Sequence, residues 1–323
     1  MTHLLEVENL YVNFALRSGD LTAIDGISFS LEQGERMGIV GESGAGKSVT
    51  GFAIINLLSK PGYIAGGRIL FNGREISSLT GSEMRQIRGN RICMIFQDPM
   101  MTLNPLFTIG TQMVETLKAH RSITTREAET IALEKLKKVR IPSPETRLGQ
   151  YPHEFSGGMR QRIIIAISLI TDPALIIADE PTTALDVTIQ AEIMDLLQEL
   201  CEDESMGLIL ITHDLGVVSQ VTEKMAVMYA GKIIEQGQTE AIIKNPAHPY
   251  TKGLIKSLPG VMKPGERLYQ IPGMMPNLTQ IPPGCSFNPR CTIKGPICET
   301  RVPELVPTGN GVLAACHMIS RNP

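Results

Sequence analysis

No apolar stretch in this 323-residue sequence approaches the roughly 18 to 20 residues that a bilayer-spanning helix needs. Runs such as Ile163–Ile167 stop after a few positions, so the chain is not expected to cross a membrane itself. Excess positive charge is also missing. Thirty Lys and Arg against 33 Asp and Glu leave a net charge of -3 and a pI near 6.1. That balance gives no general attraction to polyanions, and nucleic acid is not expected as a partner. The opening "MTHLLEVENL" lacks a basic segment followed by an apolar one, and acidic residues already interrupt its apolar alternation. A cytoplasmic location is the expectation. Internal repeats and low-complexity tracts are absent too.

With 42% apolar residues, the length suffices for one full core and a smaller unit beside it. Short apolar runs that end at loops rich in Gly, Asp, Gln or His read as buried strands: "RMGIV" (36–40), "RICMIF" (91–96), "ALIIA" (174–178) and "GLILIT" (207–212). Helical spacing appears between them at Lys47–Leu58, Arg160–Ile170 and Thr188–Glu202. Strands alternating with helices predict an α/β fold with a parallel sheet covered on both faces. "LLEVENLYVNF", "GISFSL" and "GRILFNG" read as an antiparallel layer beside it. Proline becomes dense after about residue 245, which predicts a small irregular extension over 246–323.

"GESGAGKS", Gly41–Ser48, follows a strand and opens a helix, the context of a Walker A phosphate loop. Glycines let successive backbone N–H groups turn toward one centre, where the helix N-terminus adds its own donors. The candidate cradle is Gly41, Glu42, Ser43, Gly44, Ala45, Gly46, Lys47, Ser48 and Val49. Lys47 is expected to reach the β- and γ-phosphates of ATP, and the Ser48 hydroxyl to ligate Mg²⁺. "ALIIADE" supplies a buried strand that ends in Asp179, expected to hold Mg²⁺, and Glu180, expected to polarise the attacking water.

At "FSGGMRQR", Phe155–Arg162, the sequence comes to resemble the ABC-type ATPases, in which such a signature precedes the Walker B strand. Ser156, Gly157 and Gly158 precede a helix and can present a hydroxyl and N–H groups to an anion. Because the chain already has one phosphate cradle, this second one is expected to face the nucleotide of another ATPase subunit in a head-to-tail dimer. The resemblance implies a RecA-like core with an antiparallel β layer and a helical subdomain at about 98–165, within a nucleotide-binding domain of residues 1–245. It matches Gln97 to the glutamine that touches Mg²⁺ or the lytic water, Asp186 in "TALD" to the D-loop aspartate, and His213 in "ITHD" to the switch histidine at the γ-phosphate. Phe14 is its choice for the aromatic on adenine, with Tyr11 as rival, although strand alternation fits Phe14 to the core as well. Phe155 and Met159 depart from the generic signature but leave the glycine pair intact.

"NPAHPYTKGLIKSLP" (245–259) with "FNPRC" (287–291) extends the resemblance to the ATP-binding subunits of bacterial dipeptide and oligopeptide importers, over nearly the whole chain. The implied function is ATP hydrolysis that drives a peptide importer. Nickel and other solutes of the same group, or a soluble ABC ATPase, are the alternatives. A single Walker A loop and the lack of a heptad run speak against the soluble ATPases. Implied partners are a related ATPase in a heterodimer, two transmembrane permease subunits and, indirectly, an extracytoplasmic binding protein. The implied place is the cytoplasmic face of the inner membrane, as a peripheral protein.

Four of the six cysteines, Cys285, Cys291, Cys298 and Cys316, fall in the tail with spacing C-x5-C-x6-C-x17-C. Disulfides are disfavoured in a reduced cytoplasm. Four thiolates can enclose Zn²⁺ or an iron–sulfur cluster, and the C-x2-C knuckles common in zinc sites are missing. The importers this tail resembles carry a [4Fe-4S] cluster at the matching cysteines, which makes that cluster the expectation and zinc the alternative.

Overall fold

The computed structural model describes residues 3–98, 102–183, 185–258, 269–309 and 311–319. The chain divides into two compact units, Met1–Ser78 with Leu210–Pro323, and Leu79–Ile209.

In chain order the first unit starts with β1 (Leu5–Leu16), β2 (Gly19–Leu31), β3 (Arg36–Val40), helix α1 (Lys47–Ile54), β4 (Gly62–Phe71) and β5 (Arg74–Glu75). β1 lies between β2 and β4 in an antiparallel sheet that β5 extends, the layer expected from the alternating segments. Leu5, Val7, Leu10 and Val12 form its buried face. The alternation slips between Val7 and Leu10, where the register shifts and Asn9 turns left-handed. Met37, Ile39 and Val40 of β3 are all buried, as in a parallel strand covered on both sides. Helix α1 stops at Ile54, four residues before its apolar spacing does. Asn56 enters the left-handed region (φ 51), and Leu57 N donates to Phe52 O.

The second unit contains α2 (Gly81–Ile87), β6 (Ile92–Ile95), α3 (Ile109–Lys118), α4 (Thr125–Lys138), α5 (Pro144–Arg147), α6 (Gly157–Ser168), β7 (Leu175–Asp179) and α7 (Val187–Glu204). β6 and β7 pair in parallel, Ile95 opposite Ala178. Thr80 with Glu83 and Thr124 with Glu127 form capping boxes that start α2 and α4. Helices α3, α4 and α6 pack through Met113, Leu117, Ala128, Ala132, Leu136 and Ile163, all buried.

Strand β8 (Gly207–Thr212) carries the chain back to the first unit, followed by α8 (Leu215–Val221), β9 (Lys224–Tyr229), β10 (Lys232–Gln238), α9 (Thr239–Lys244), α10 (Pro249–Lys256), β11 (Val306–Gly309) and β12 (Val312–Ala314). β9 runs parallel to β3, with Gly38 opposite Met225. β10 is antiparallel to β9, β12 to β10, and β11 to β12. The tail is therefore less irregular than its proline content suggests. Val312 and Ala314 are buried, and the strand they form extends the sheet edge. Among the described residues no helix is long and apolar enough to cross a membrane.

Candidate functional site

In the first unit, β3 delivers the chain to a loop that reverses into α1. Gly41 must be glycine, because a Cβ there would lie 2.3 Å from the Met228 carbonyl oxygen on β9. Gly46, at φ 104, precedes α1 in the left-handed region, where its own Cβ would meet the Ala23 carbonyl at 3.0 Å. α1 has no side-chain cap and no acidic residue in its first turn, which suits its end to a phosphate. Lys47 is only 5% exposed. Its Nζ donates to Gly41 O (2.8 Å) and Glu42 O (3.0 Å), which closes the loop around a positive charge. Gly231 N, in the turn after β9, donates to Ala45 O at 3.0 Å and ties the loop to the sheet.

The tail reaches the same loop, a contact that sequence reading missed. Tyr250 accepts a hydrogen bond from Glu42 N at its hydroxyl, 2.9 Å. Arg290 donates from both terminal nitrogens to the Glu42 carboxylate, Nη1 to Oε2 at 2.9 Å and Nη2 to Oε1 at 3.0 Å. The sequence had flagged "FNPRC", which holds Arg290, and the "HPY" triplet within 245–259, whose last residue, Pro259, lies outside the described residues. Its chemistry is now legible. His248 caps α10 by accepting from Tyr250 N at Nδ1 (3.0 Å), Pro249 takes the first helical position, and Tyr250 is thereby aimed at the loop. Tyr229, Tyr250 and Phe287 meet edge to face, with ring centroids 4.8 to 5.5 Å apart.

His248 is 1% exposed, and burial, aided by the nearby charge of Lys252, drives its pKa down to about 3. A histidine held neutral in the folded state stabilises above its unfolded pKa of about 6.5, and that contribution is lost as pH falls toward 3. Glu235, which accepts from His248 N, is shifted upward by burial and contributes with the opposite sign. The comparison that isolates His248 is therefore with His248→Asn, which keeps an acceptor at the cap. Between pH 6 and 4 the parent should lose up to about 1.4 kcal/mol per pH unit more than the variant in chemical unfolding. Parallel stability profiles for the two would rule this out.

In the second unit, β7 ends in Asp179, 3% exposed, and Glu180 follows in the left-handed region at φ 46. Because Ile95 and Ala178 are opposite in the parallel pair, residues two further along, Gln97 and Glu180, emerge side by side. Gln97 Nε2 donates to Glu180 Oε2 at 3.0 Å, and Thr183 Oγ1 donates to the same oxygen at 2.8 Å. Ser156 caps α6, its Oγ accepting from Met159 N at 3.4 Å, so the hydroxyl proton can still be donated. Ile189 stands behind Gly158, where a Cβ would lie 2.8 Å from its Cγ2. Asp186 caps α7 through Ile189 N at 3.0 Å, a structural task the motif did not announce. Ala184 of "TALD" lies outside the described residues.

His213, exposed, follows β8, while Asp214 beside it caps α8. Phe14 is half-buried, and its ring lies against Gly62 of β4. Tyr11 is 40% exposed and lies against Gly26 and Gly66.

None of the four tail cysteines is in a disulfide. Cys285 N donates to Cys298 O at 2.8 Å, and Cys316 Sγ accepts from Met318 N. Burial raises the pKa of Cys285 to about 11, and the charges of Cys298, Cys316 and Cys291 add to the rise. Cys316 is raised too, by burial and by Cys291 and Cys298. Cys285 and Cys316 thus each lie within electrostatic reach of the other three. Among the described residues, no group of three or more His, Cys, Asp or Glu is positioned to hold a metal ion.

Residues 24–183 match the family model described as ABC transporter, and residues 234–298 that of the oligopeptide/dipeptide transporter C-terminal region. The chain is 48% identical to the oligopeptide transport ATP-binding protein OppD of Salmonella typhimurium, over 97% of this chain and 93% of that one. It is 46% identical to the OppD of Haemophilus influenzae over 98% of each. Among solved structures, the ATP-binding cassette MJ0796, in a dimeric post-hydrolysis state bound to ADP and Pi, matches with a TM-score of 0.65. It is 26% identical, over 73% of this chain and 98% of that one. A cbiO1 subunit from Clostridium perfringens, part of an ABC transporter complex, matches with a TM-score of 0.64. It is 29% identical, over 76% of this chain and 92% of that one.

Proposed function

This chain belongs to the ABC transporter ATPases, and from that premise we propose that it is the ATP-hydrolysing motor subunit of a bacterial importer of di- or oligopeptides. The observation that carries the peptide assignment is the extent of the likeness, 48% identity to an oligopeptide transport ATP-binding protein over 97% of this chain. Residues 1–245 act as the nucleotide-binding domain and 246–323 as its extension. Gly41–Val49 hold the phosphates of ATP, Phe14 the adenine, and Ser48, Asp179 and Gln97 the Mg²⁺. Glu180 takes the proton of the attacking water, and His213 contacts the γ-phosphate. Ser156, Gly157, Gly158 and Asp186 act on the nucleotide of a second, related ATPase. MJ0796 in its dimeric ADP and Pi state supports a paired mode of action. Two permease subunits, served by an extracytoplasmic binding protein, complete the importer, with this chain peripheral on the cytoplasmic face of the inner membrane.

The test is uptake by the assembled complex in proteoliposomes. A labelled oligopeptide should accumulate only with ATP on the side of this chain, and Lys47→Ala in this chain should abolish it. ATP-driven accumulation of Ni²⁺ with none of peptide would replace the assignment.

From the resemblance of the tail we propose that Cys285, Cys291, Cys298 and Cys316 hold a [4Fe-4S] cluster, with zinc as the alternative, although no group of three or more possible ligands among the described residues is arranged around one metal position in this structure. Burial and neighbouring charge disfavour the thiolate forms of Cys285 and Cys316, and a bound cationic core would relieve both. The cluster supplies a cross-link to a segment too small to bury a core of its own. Anaerobically purified protein should be brown, with about four irons per chain, and Cys291→Ser should lose both. Colourless protein with one zinc per chain would reverse the assignment.

A further inference from the structure

Arg290 is 8% exposed, yet its guanidinium is matched on every side. Besides the two bonds to Glu42, Nε donates to Pro272 O at 2.9 Å and Nη1 to the Tyr229 hydroxyl at 3.4 Å. The cation also lies over the rings of Tyr229 and Phe287 at 5.8 and 5.9 Å. A paired fork of this kind fixes direction as well as distance, because two parallel N–H bonds leave the carboxylate one orientation. Glu42 follows Gly41 in the phosphate loop, and its backbone is held independently: Tyr250 takes its N–H, and Lys47 takes its carbonyl. The loop residue is thus gripped at N–H, C=O and side chain, two of the three grips coming from the tail.

The position of Arg290 is itself set by the cysteine segment. Asn288 N donates to Cys285 O (2.9 Å), Arg290 N to Phe287 O (3.0 Å) and Cys291 N to Asn288 O (3.3 Å). This turn spaces Cys285 from Cys291, and Arg290 leaves it one residue before Cys291.

We propose that Arg290, with Tyr250, is a positioning residue of the nucleotide site, holding Glu42 so that the phosphate loop keeps its ATP-binding shape only while the cysteine turn is intact. The proposal rests on the reading of residues 41–49 as the nucleotide cradle. Both residues act through Glu42, and the tail becomes a reporter that lowers nucleotide affinity when its cysteine turn loosens.

The test titrates the full chain with a fluorescent ATP analogue and follows its thermal unfolding in parallel. Arg290→Met and the near-isosteric Glu42→Gln should each raise Kd about tenfold, and the double variant should be no worse than either single, since both remove the same pair. Arg290→Lys, a charge without the fork, should recover only part of the affinity. Cys291→Ser should raise Kd in the parent and leave it unchanged in the Arg290→Met background. Kd values for both singles within about twofold of the parent, with only the unfolding temperature lowered, would overturn the proposal. Lys47→Ala is the control. If it weakens binding while the brace variants do not, the brace alone fails. If it binds like the parent, the nucleotide reading fails and takes the brace with it.

Discussion

Glu180→Gln should leave MgATP bound and slow its hydrolysis by roughly 10² to 10⁴. The carboxylate is held at one oxygen by Gln97 and Thr183, two neutral donors that orient it without neutralising it. A glutamine at the same place can accept both bonds through its own oxygen, so the local geometry survives. What disappears is the capacity to take a proton from water. Binding and turnover should therefore separate, and nucleotide should be trapped in the assembled complex. The measurement is steady-state ATPase rate beside equilibrium nucleotide binding. Equal rates for variant and parent would remove Glu180 from the chemistry.

Gly41→Ala and Lys47→Ala should both abolish tight ATP binding, by different routes. At Gly41 the new methyl would sit 2.3 Å from a backbone carbonyl on β9, at φ 157. No side chain can swing aside to relieve that contact, so the strand end must move, at a cost on the order of 2 to 4 kcal/mol of folding stability as well as the loop's shape. Lys47→Ala instead removes a charge that holds Gly41 and Glu42 by their carbonyls. Losing those charge-assisted bonds and the phosphate partner should weaken ATP binding by roughly 10²-fold, with the smaller loss of stability. Thermal unfolding next to nucleotide titration distinguishes the two. Gly41→Ala with parental unfolding temperature and Kd would show that β9 does not confine the loop.

Much of this architecture was legible locally. The four short apolar runs are strands β3, β6, β7 and β8, and the alternating segments are β1, β2 and β4. Each was recognisable because burial on both faces, or on one, writes its period directly into neighbouring residues. The phosphate loop was legible for the same reason, its glycines and lysine lying within eight positions. Phe14 was harder to place, since register shifts at Val7/Leu10, Leu10/Tyr11 and Val12/Asn13 break the alternation that would assign it to one face. Tyr250 and Arg290 stand in segments that carried the resemblance, but their contact with the phosphate loop could not be found. Their partner is 208 and 248 residues away in the chain, and no local pattern encodes a pairing across that span. Likewise β11 and β12, four and three residues long with Pro307 and Gly309 inside β11, carry too little periodicity to announce themselves.

The distance between Glu42 and Arg290 also matters during synthesis. A ribosome adds roughly 5 to 20 residues per second, so the 248 positions separating the two take on the order of ten to fifty seconds to translate. Throughout that interval the nascent phosphate loop exists without its brace. A messenger truncated after codon 213 and before codon 290 would yield a chain with every nucleotide motif and no Arg290 to hold the loop. Surveillance of such fragments would then have a physical basis in their weak grip on ATP.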